Sequence, residues 1–132
     1  MTIKGIGVDI VSVARLSRAV DRWGERFTGR VFTKDEVIYA SCRPRSAEHL
    51  SARFAGKEAV IKALGGLQGS GRMSEIEVVP GPSGRPLVRL HGAVRTMAAD
   101  RGVAEIFLSL SHTAGTAVAQ AVAVGGAANE EG

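Results

Sequence analysis

Four side chains are of types, and in places, that invite chemistry: Asp9, Glu58, Lys62 and His112. Asp9 lies inside the apolar run Ile6-Gly7-Val8-Asp9-Ile10-Val11, where burying a lone carboxylate is costly. Either it caps the following helix or meets water at the strand end, or it is a cation ligand waiting for a second oxygen donor. Glu58 and Lys62 stand four apart in Arg53-Phe54-Ala55-Gly56-Lys57-Glu58-Ala59-Val60-Ile61-Lys62, a spacing that puts both on one helix face. That pair is either a solvated ion pair or part of a cleft. Two hard carboxylates among lysines and arginines suit a magnesium ion holding phosphate oxygens. His112 follows Ser109-Leu110-Ser111 and reads as a structural or loop histidine unless a ligand claims it.

Other chemistries fail on spacing. Gly5-Ile6-Gly7 has Ile10 where a dinucleotide fingerprint needs a third glycine. Gly56-Lys57 is preceded by Ser51 and followed by Glu58, so it is no P-loop. Ser111 lacks the paired glycines of a hydrolase elbow. His49, His91 and His112 show no close metal spacing, and Cys42 is the one cysteine, which argues against zinc and rules out an intrachain disulfide.

The elements that must position these residues follow from periodicity. Ile3–Ile10 reads as a buried strand, and Ser12 as the cap of a helix with Val13, Leu16, Val20 and Trp23 on one face and Gly24 as its stop. Thr33-Lys34-Asp35-Glu36 is a capping box for a helix toward Cys42. Ser46 is expected to cap a longer helix through Leu64, closed by Gly65-Gly66. Glu75–Val79 and Leu87–His91 read as the two strands of a hairpin around the turn Pro80–Pro86. Ala93–Arg101 is a short helix, and Ile106–Ser111 and Ala117–Val124 are strands. The order β-α-α-α-β-β-α-β-β, with hairpin connections, predicts an α+β fold: a mainly antiparallel sheet on a long central helix.

The 132 residues make one domain, read as 1–124, with a flexible C-terminal tail at 125–132. Hydrophobic residues are 45% and charged ones 23%, an ordinary globular balance. Neither a signal peptide nor an apolar run of membrane-spanning length is visible, so a soluble, cytoplasmic protein without a membrane role is expected. The net charge is +4, with six basic and three acidic side chains in residues 1–30 and five and six in residues 66–132. The excess in the first half points to an anionic partner. Basic and aromatic residues are not interleaved as in a stacking platform, which disfavours nucleic acid.

Three blocks, Gly5-Ile6-Gly7-Val8-Asp9-Ile10, Arg53-Phe54-Ala55-Gly56-Lys57-Glu58-Ala59 with Lys62-Ala63, and Ser109-Leu110-Ser111-His112-Thr113, together resemble the signature blocks of holo-(acyl-carrier-protein) synthases. These are short, trimeric, bacterial 4′-phosphopantetheinyl transferases. One departure is Gly56, where that family more often has Ala. The resemblance implies transfer of the phosphopantetheine arm of coenzyme A to a serine of apo acyl carrier protein, releasing adenosine 3′,5′-bisphosphate. It implies Asp9 and Glu58 as Mg2+ ligands, Glu58 also as base, and Lys62 on a phosphate oxygen. Arg45, Arg53 and His112 would hold the nucleotide, Arg45 by reaching from a neighbouring subunit. Arg15 and Arg22, with Arg18 and Arg26, would face the acidic carrier protein. A homotrimer with interfacial sites and a place in fatty-acid or lipid metabolism are further implications. A catalytically dead binding protein of this fold is argued against by the intact Asp9, Glu58 and Lys62.

Overall fold

A computed structural model describes residues 1–126. Strand β1 (Thr2–Ser12) leads into α1 (Val13–Trp23), α2 (Glu25–Val31), α3 (Lys34–Ser41) and the long α4 (Ser46–Leu64). The hairpin β2 (Ile76–Pro80) and β3 (Pro86–Leu90), the helix α5 (Gly92–Asp100), and strands β4 (Val103–His112) and β5 (Thr116–Gly125) complete the order. The α+β class and the antiparallel pairing are as expected. The strands divide into two sheets, β1-β5-β4 and β2-β3.

Small side chains decide how α4 lies on the three-stranded sheet. Ala55, Ala59 and Ala63 of α4 meet Ala119, Ala121 and Ala123 of β5, all buried. On β1 the contact is closer still. A Cβ on Gly5 would stand 1.8 Å from the Ala63 carbonyl oxygen, and one on Gly7 1.9 Å from that of Ala59. The helix backbone therefore rests directly on the strand, which only glycine permits. The register then pairs Asp9 with Ala119, and Ala119 with Leu110. A second core of Leu16, Val31, Phe32, Ala40 and Leu50 joins α1–α3 to the N-terminal half of α4.

A buried ion pair ties this second layer to the hairpin. Lys57 Nζ and Glu36 Oε1 are 2.7 Å apart, and both side chains are almost wholly buried. Glu36 also closes the capping box on Thr33 and accepts from the Val78 amide. Lys57 donates to the carbonyls of Met73 and Ile76. Burial pushes the Lys57 pKa down, and the Glu36 carboxylate opposes that shift. Every strong polar atom of the pair has a partner, which is what makes two buried charges tolerable.

Four expectations change. An additional helix, α2, occupies Glu25–Val31. Gly24 (φ +54°) does end α1, but Val31 and Phe27 pack into the second core, and that burial overrides the weak helix tendency of Thr28 and Gly29. Ser46 is the first helical residue and not the cap. Arg45 holds that place in left-handed backbone, without a side-chain capping bond. Strand β1 is buried on one face only: Ile3, Ile6, Val8 and Ile10 are all more than half exposed. Its alternation was hidden because the glycines face inward and the isoleucines outward. Finally, β5 runs through Gly125, which pairs with Thr2 and Val103. Residues 127–132, the rest of the expected tail, lie outside the described residues.

Two substitutions test this packing by urea denaturation. Gly7→Ala should destabilise by about 3 kcal/mol or more, since helix and strand backbones must separate. Lys57→Met should cost about 3–5 kcal/mol by stranding the Glu36 carboxylate. Adding Glu36→Gln to it should recover part of that loss. Unchanged midpoints would disprove the respective contact.

Candidate active site

The approach of α4 to β1 brings together residues almost fifty positions apart in the chain. Asp9 leaves β1 on the face that carries Gly5 and Gly7, toward α4, and Glu58 and Lys62 leave α4 one turn apart. Lys62 Nζ donates to Asp9 Oδ1 at 3.1 Å and to the Val8 carbonyl at 2.9 Å. Among the described residues no Glu58–Lys62 ion pair is formed; the lysine belongs to Asp9. The surface-pair reading of that i,i+4 spacing is thereby replaced. Burial raises the Glu58 pKa, the Asp9 charge raises it further, and Lys62 lowers it.

Asp9 and Glu58 open on a cavity of about 400 Å³ that Ser12, Arg15, Leu16 and Phe54 also line. Its wall mixes apolar side chains with the charged Asp9, Arg15 and Glu58. Two carboxylates that repel one another at one wall leave an electrostatic deficit that a hard cation relieves. No cluster of three or more His, Cys, Asp or Glu side chains able to hold a metal occurs among the described residues. Asp9 and Glu58 are two carboxylates on one wall, and a cation held there would draw its other ligands from water or phosphate. That donor set fits magnesium.

Of the remaining predicted residues, Arg15 shares this cavity and the others lie elsewhere. Arg15 is on α1, where its amide is capped by Ser12 Oγ, and its side chain lines the cavity. Arg22, in the last turn of α1, covers the Trp23 ring at 4.9 Å. Arg45 is exposed at the far end of α4, thirteen residues or about 20 Å along the axis from Glu58. A single chain does not bring Arg45 to Asp9.

His112 and Arg53 belong to a second cluster, near the start of α4. His112 Nδ1 is 2.9 Å from Glu48 Oε1, and its ring lies 5.3 Å from that of His49. His49 in turn meets Tyr39, whose ring is covered by Arg43 at 3.4 Å and Arg53 at 4.0 Å. Arg53 is buried, and its Nε has no hydrogen-bond partner among the described residues. Burial lowers its pKa, and the Tyr39 contact opposes this. Burial also holds His49 down, followed by the charges of His112 and both arginines. This concentration of cationic and aromatic groups suits an anionic ligand.

Sequence reasoning missed Tyr39, Arg43, Glu48 and His49 in this cluster, and Phe54 and Leu16 in the cavity wall. The run Arg43-Pro44-Arg45 was an available sign of the cationic cluster. The Glu48–His112 contact spans 64 positions and leaves no local trace.

A family model for the 4′-phosphopantetheinyl transferase superfamily matches residues 5–120. A holo-(acyl-carrier-protein) synthase from Desulforudis audaxviator is 47% identical over 124 residues, covering 93% of this chain and 94% of that protein. The chain belongs to the holo-(acyl-carrier-protein) synthases. It is an enzyme of the 4′-phosphopantetheinyl transferase class. The synthase fold is also that of solved structures. The enzyme from Neisseria meningitidis superposes with a TM-score of 0.84 at 32% identity, over 92% of this chain and 98% of that one. The enzyme from Helicobacter pylori, solved in complex with coenzyme A, gives 0.79 at 29% identity, over 90% and 99%. Within this synthase, Gly56 packs beneath Leu108 and Leu110, whose methyls lie 3.2–3.3 Å from where a Cβ would be. An alanine methyl there would press on those leucines, which would have to shift by a few tenths of an ångström.

The raised Glu58 pKa gives a signed expectation. A carboxyl with a folded pKa above its unfolded one favours the fold below the unfolded value, and that contribution is lost as pH rises through the folded value. In chelator-containing buffer, Glu58→Gln should therefore melt higher than wild type near about pH 8. The gap should close as pH falls toward 4.5, the ordinary value for the group. Thermal melts across that range check it, and a gap that widens toward acid would contradict the assigned environment.

Proposed function

We propose that this enzyme transfers the 4′-phosphopantetheine arm of coenzyme A to a serine hydroxyl of apo acyl carrier protein, with Mg2+, releasing adenosine 3′,5′-bisphosphate. One observation carries the reading: Asp9 and Glu58, from two of the three sequence blocks, line one cavity, and Lys62 meets Asp9 at 3.1 Å. Support also comes from the relatives named above and from the coenzyme A complex of the Helicobacter pylori enzyme.

In this reading Asp9 and Glu58 would hold a magnesium ion, whose charge would offset that of the diphosphate. The serine oxygen attacks the pantetheine-bearing phosphorus, and the bond to the bridging oxygen breaks toward adenosine 3′,5′-bisphosphate. Glu58 would take the serine proton through an intervening water. Lys62 moves onto a phosphate oxygen, where a fixed cation meets developing charge. Arg53 and His112, with Arg45, would hold the 3′-phosphate end.

A homotrimer is part of the same proposal. Ile6, Val8 and Ile10 of β1 and Phe107 of β4 expose an apolar sheet face that a second copy would cover. A neighbour seated there could bring its own Arg45 toward this cavity. The exposed arginines of α1 (Arg15, Arg18, Arg22) with Arg26 make a basic approach for an acidic carrier protein. We assign the enzyme to the cytoplasm, in keeping with its one exposed free thiol, Cys42. No described helix is long and apolar enough to cross a membrane.

Mass spectrometry of apo carrier protein incubated with the enzyme, coenzyme A and magnesium decides the activity; an unmodified carrier refutes it. Asp9→Ala and Glu58→Ala should each abolish transfer while leaving the protein folded, and Lys62→Ala should slow turnover by about a hundredfold or more. Arg15→Glu should slow carrier association, an effect salt mimics in the wild type, with coenzyme A affinity kept. A parallel fall in coenzyme A affinity would place Arg15 on the nucleotide instead.

A further inference from the structure

Lys62 and a divalent cation draw on the same carboxylate. The ammonium donates to Asp9 Oδ1 at 3.1 Å and to the Val8 carbonyl at 2.9 Å. It is not engaged by Glu58, its own neighbour one helical turn away. The two partners differ in freedom. The Asp9 side chain is 17% exposed, on a strand paired along its length, whereas the Lys62 side chain is 53% exposed. The lysine has four rotatable bonds and solvent to move into; the aspartate does not.

A cation ligated by Asp9 and Glu58 would stand within a few ångströms of that ammonium, and like charges at such range repel strongly. Electrostatics then favours movement of the ammonium away from Asp9 as the metal arrives. Water is one destination, but an anion at the cavity mouth is a better one. A diphosphate supplies such an oxygen and ligates the metal too, so each ligand removes an obstacle to the other.

We propose that Lys62 is the exchangeable counter-ion of Asp9, held there until a diphosphate draws it off, so that metal and diphosphate bind cooperatively. This rests on the assignment of Asp9 and Glu58 as metal ligands made above. The lysine would thereby keep the carboxylate neutralised between turnovers and weaken binding of free metal.

The test reads binding, with manganese as the probe. Free Mn2+ is followed by electron paramagnetic resonance during titration of the full-length wild type, Lys62→Met and Asp9→Asn. Without coenzyme A, Lys62→Met should bind manganese about five- to tenfold more tightly than wild type, because a competing ion pair is gone. Asp9→Asn should bind it more weakly than either. Coenzyme A, corrected for its own affinity for manganese, should tighten binding in the wild type and do so much less in Lys62→Met; the reciprocal effect of manganese on coenzyme A should match. Equal or weaker manganese binding by Lys62→Met overturns the proposal, as does an undiminished effect of coenzyme A in that variant. A wild type that shows this exchange but modifies no carrier protein would defeat the transferase reading alone. Transfer by a wild type whose manganese affinity matches that of Lys62→Met would defeat the exchange alone.

Discussion

The contact of helix α4 with strand β1 is made at backbone distance, through Gly5 and Gly7 on one side and Ala59 and Ala63 on the other. Other features of the molecule depend on that contact. Were β1 to carry side chains there, the helix would stand off by the width of a methyl group, and Lys62 would no longer reach the Val8 carbonyl. The alanine row of β5 continues the same thin layer, so the helix lies flat across two strands. Packing made of such small groups gains little area per residue, but it sets distance with little slack. Precision of this kind is what a site shared between a strand and a helix requires.

Helix α4 carries two lysines, Lys57 and Lys62, that illustrate how environment divides one chemistry into two roles. Lys57 is sealed between α3, the hairpin and the turn before it, with Glu36 and two carbonyls as fixed partners. It has nowhere to move, and its removal would strand a buried carboxylate. Lys62 pairs with Asp9 at the edge of an open cavity, half in solvent. A charge held so loosely contributes little to stability, and that looseness leaves it available to another anion. Glu36 and Glu58 divide in the same way, the first satisfied by a lysine and two amides, the second raised in pKa beside Asp9.

Within one chain the cationic cluster around Tyr39 and His112 and the carboxylates beside Lys62 occupy different stretches of α4. A long substrate with charges at both ends could span them, or could span from one subunit to the next across the apolar sheet face that β1 presents. The second arrangement belongs to the homotrimer proposed above, since Arg45 is exposed at a helix end that its own cavity does not include. The exposed isoleucines of β1 then have a purpose that neither the core nor the cavity gives them.

Much of this was legible from local patterns. Capping boxes, glycine stops and turn prolines placed most elements within a residue or two, because those signals act over three or four positions. The three chemical blocks were legible as well, since Asp9 inside an apolar run and Glu58 and Lys62 one turn apart are anomalies of type and spacing. Helix α2 was not, for its reason to exist is the burial of Phe27 and Val31 against distant residues. Nor was the outward face of β1, because a strand with isoleucine on one side and glycine on the other shows no polar alternation. Above all, the sequence determined which groups could do chemistry, but the partner of each was decided only in three dimensions. Lys62 could equally have joined Glu58 across one helical turn. It joins Asp9 because two glycines let a strand lie against the helix, which no local preference could express.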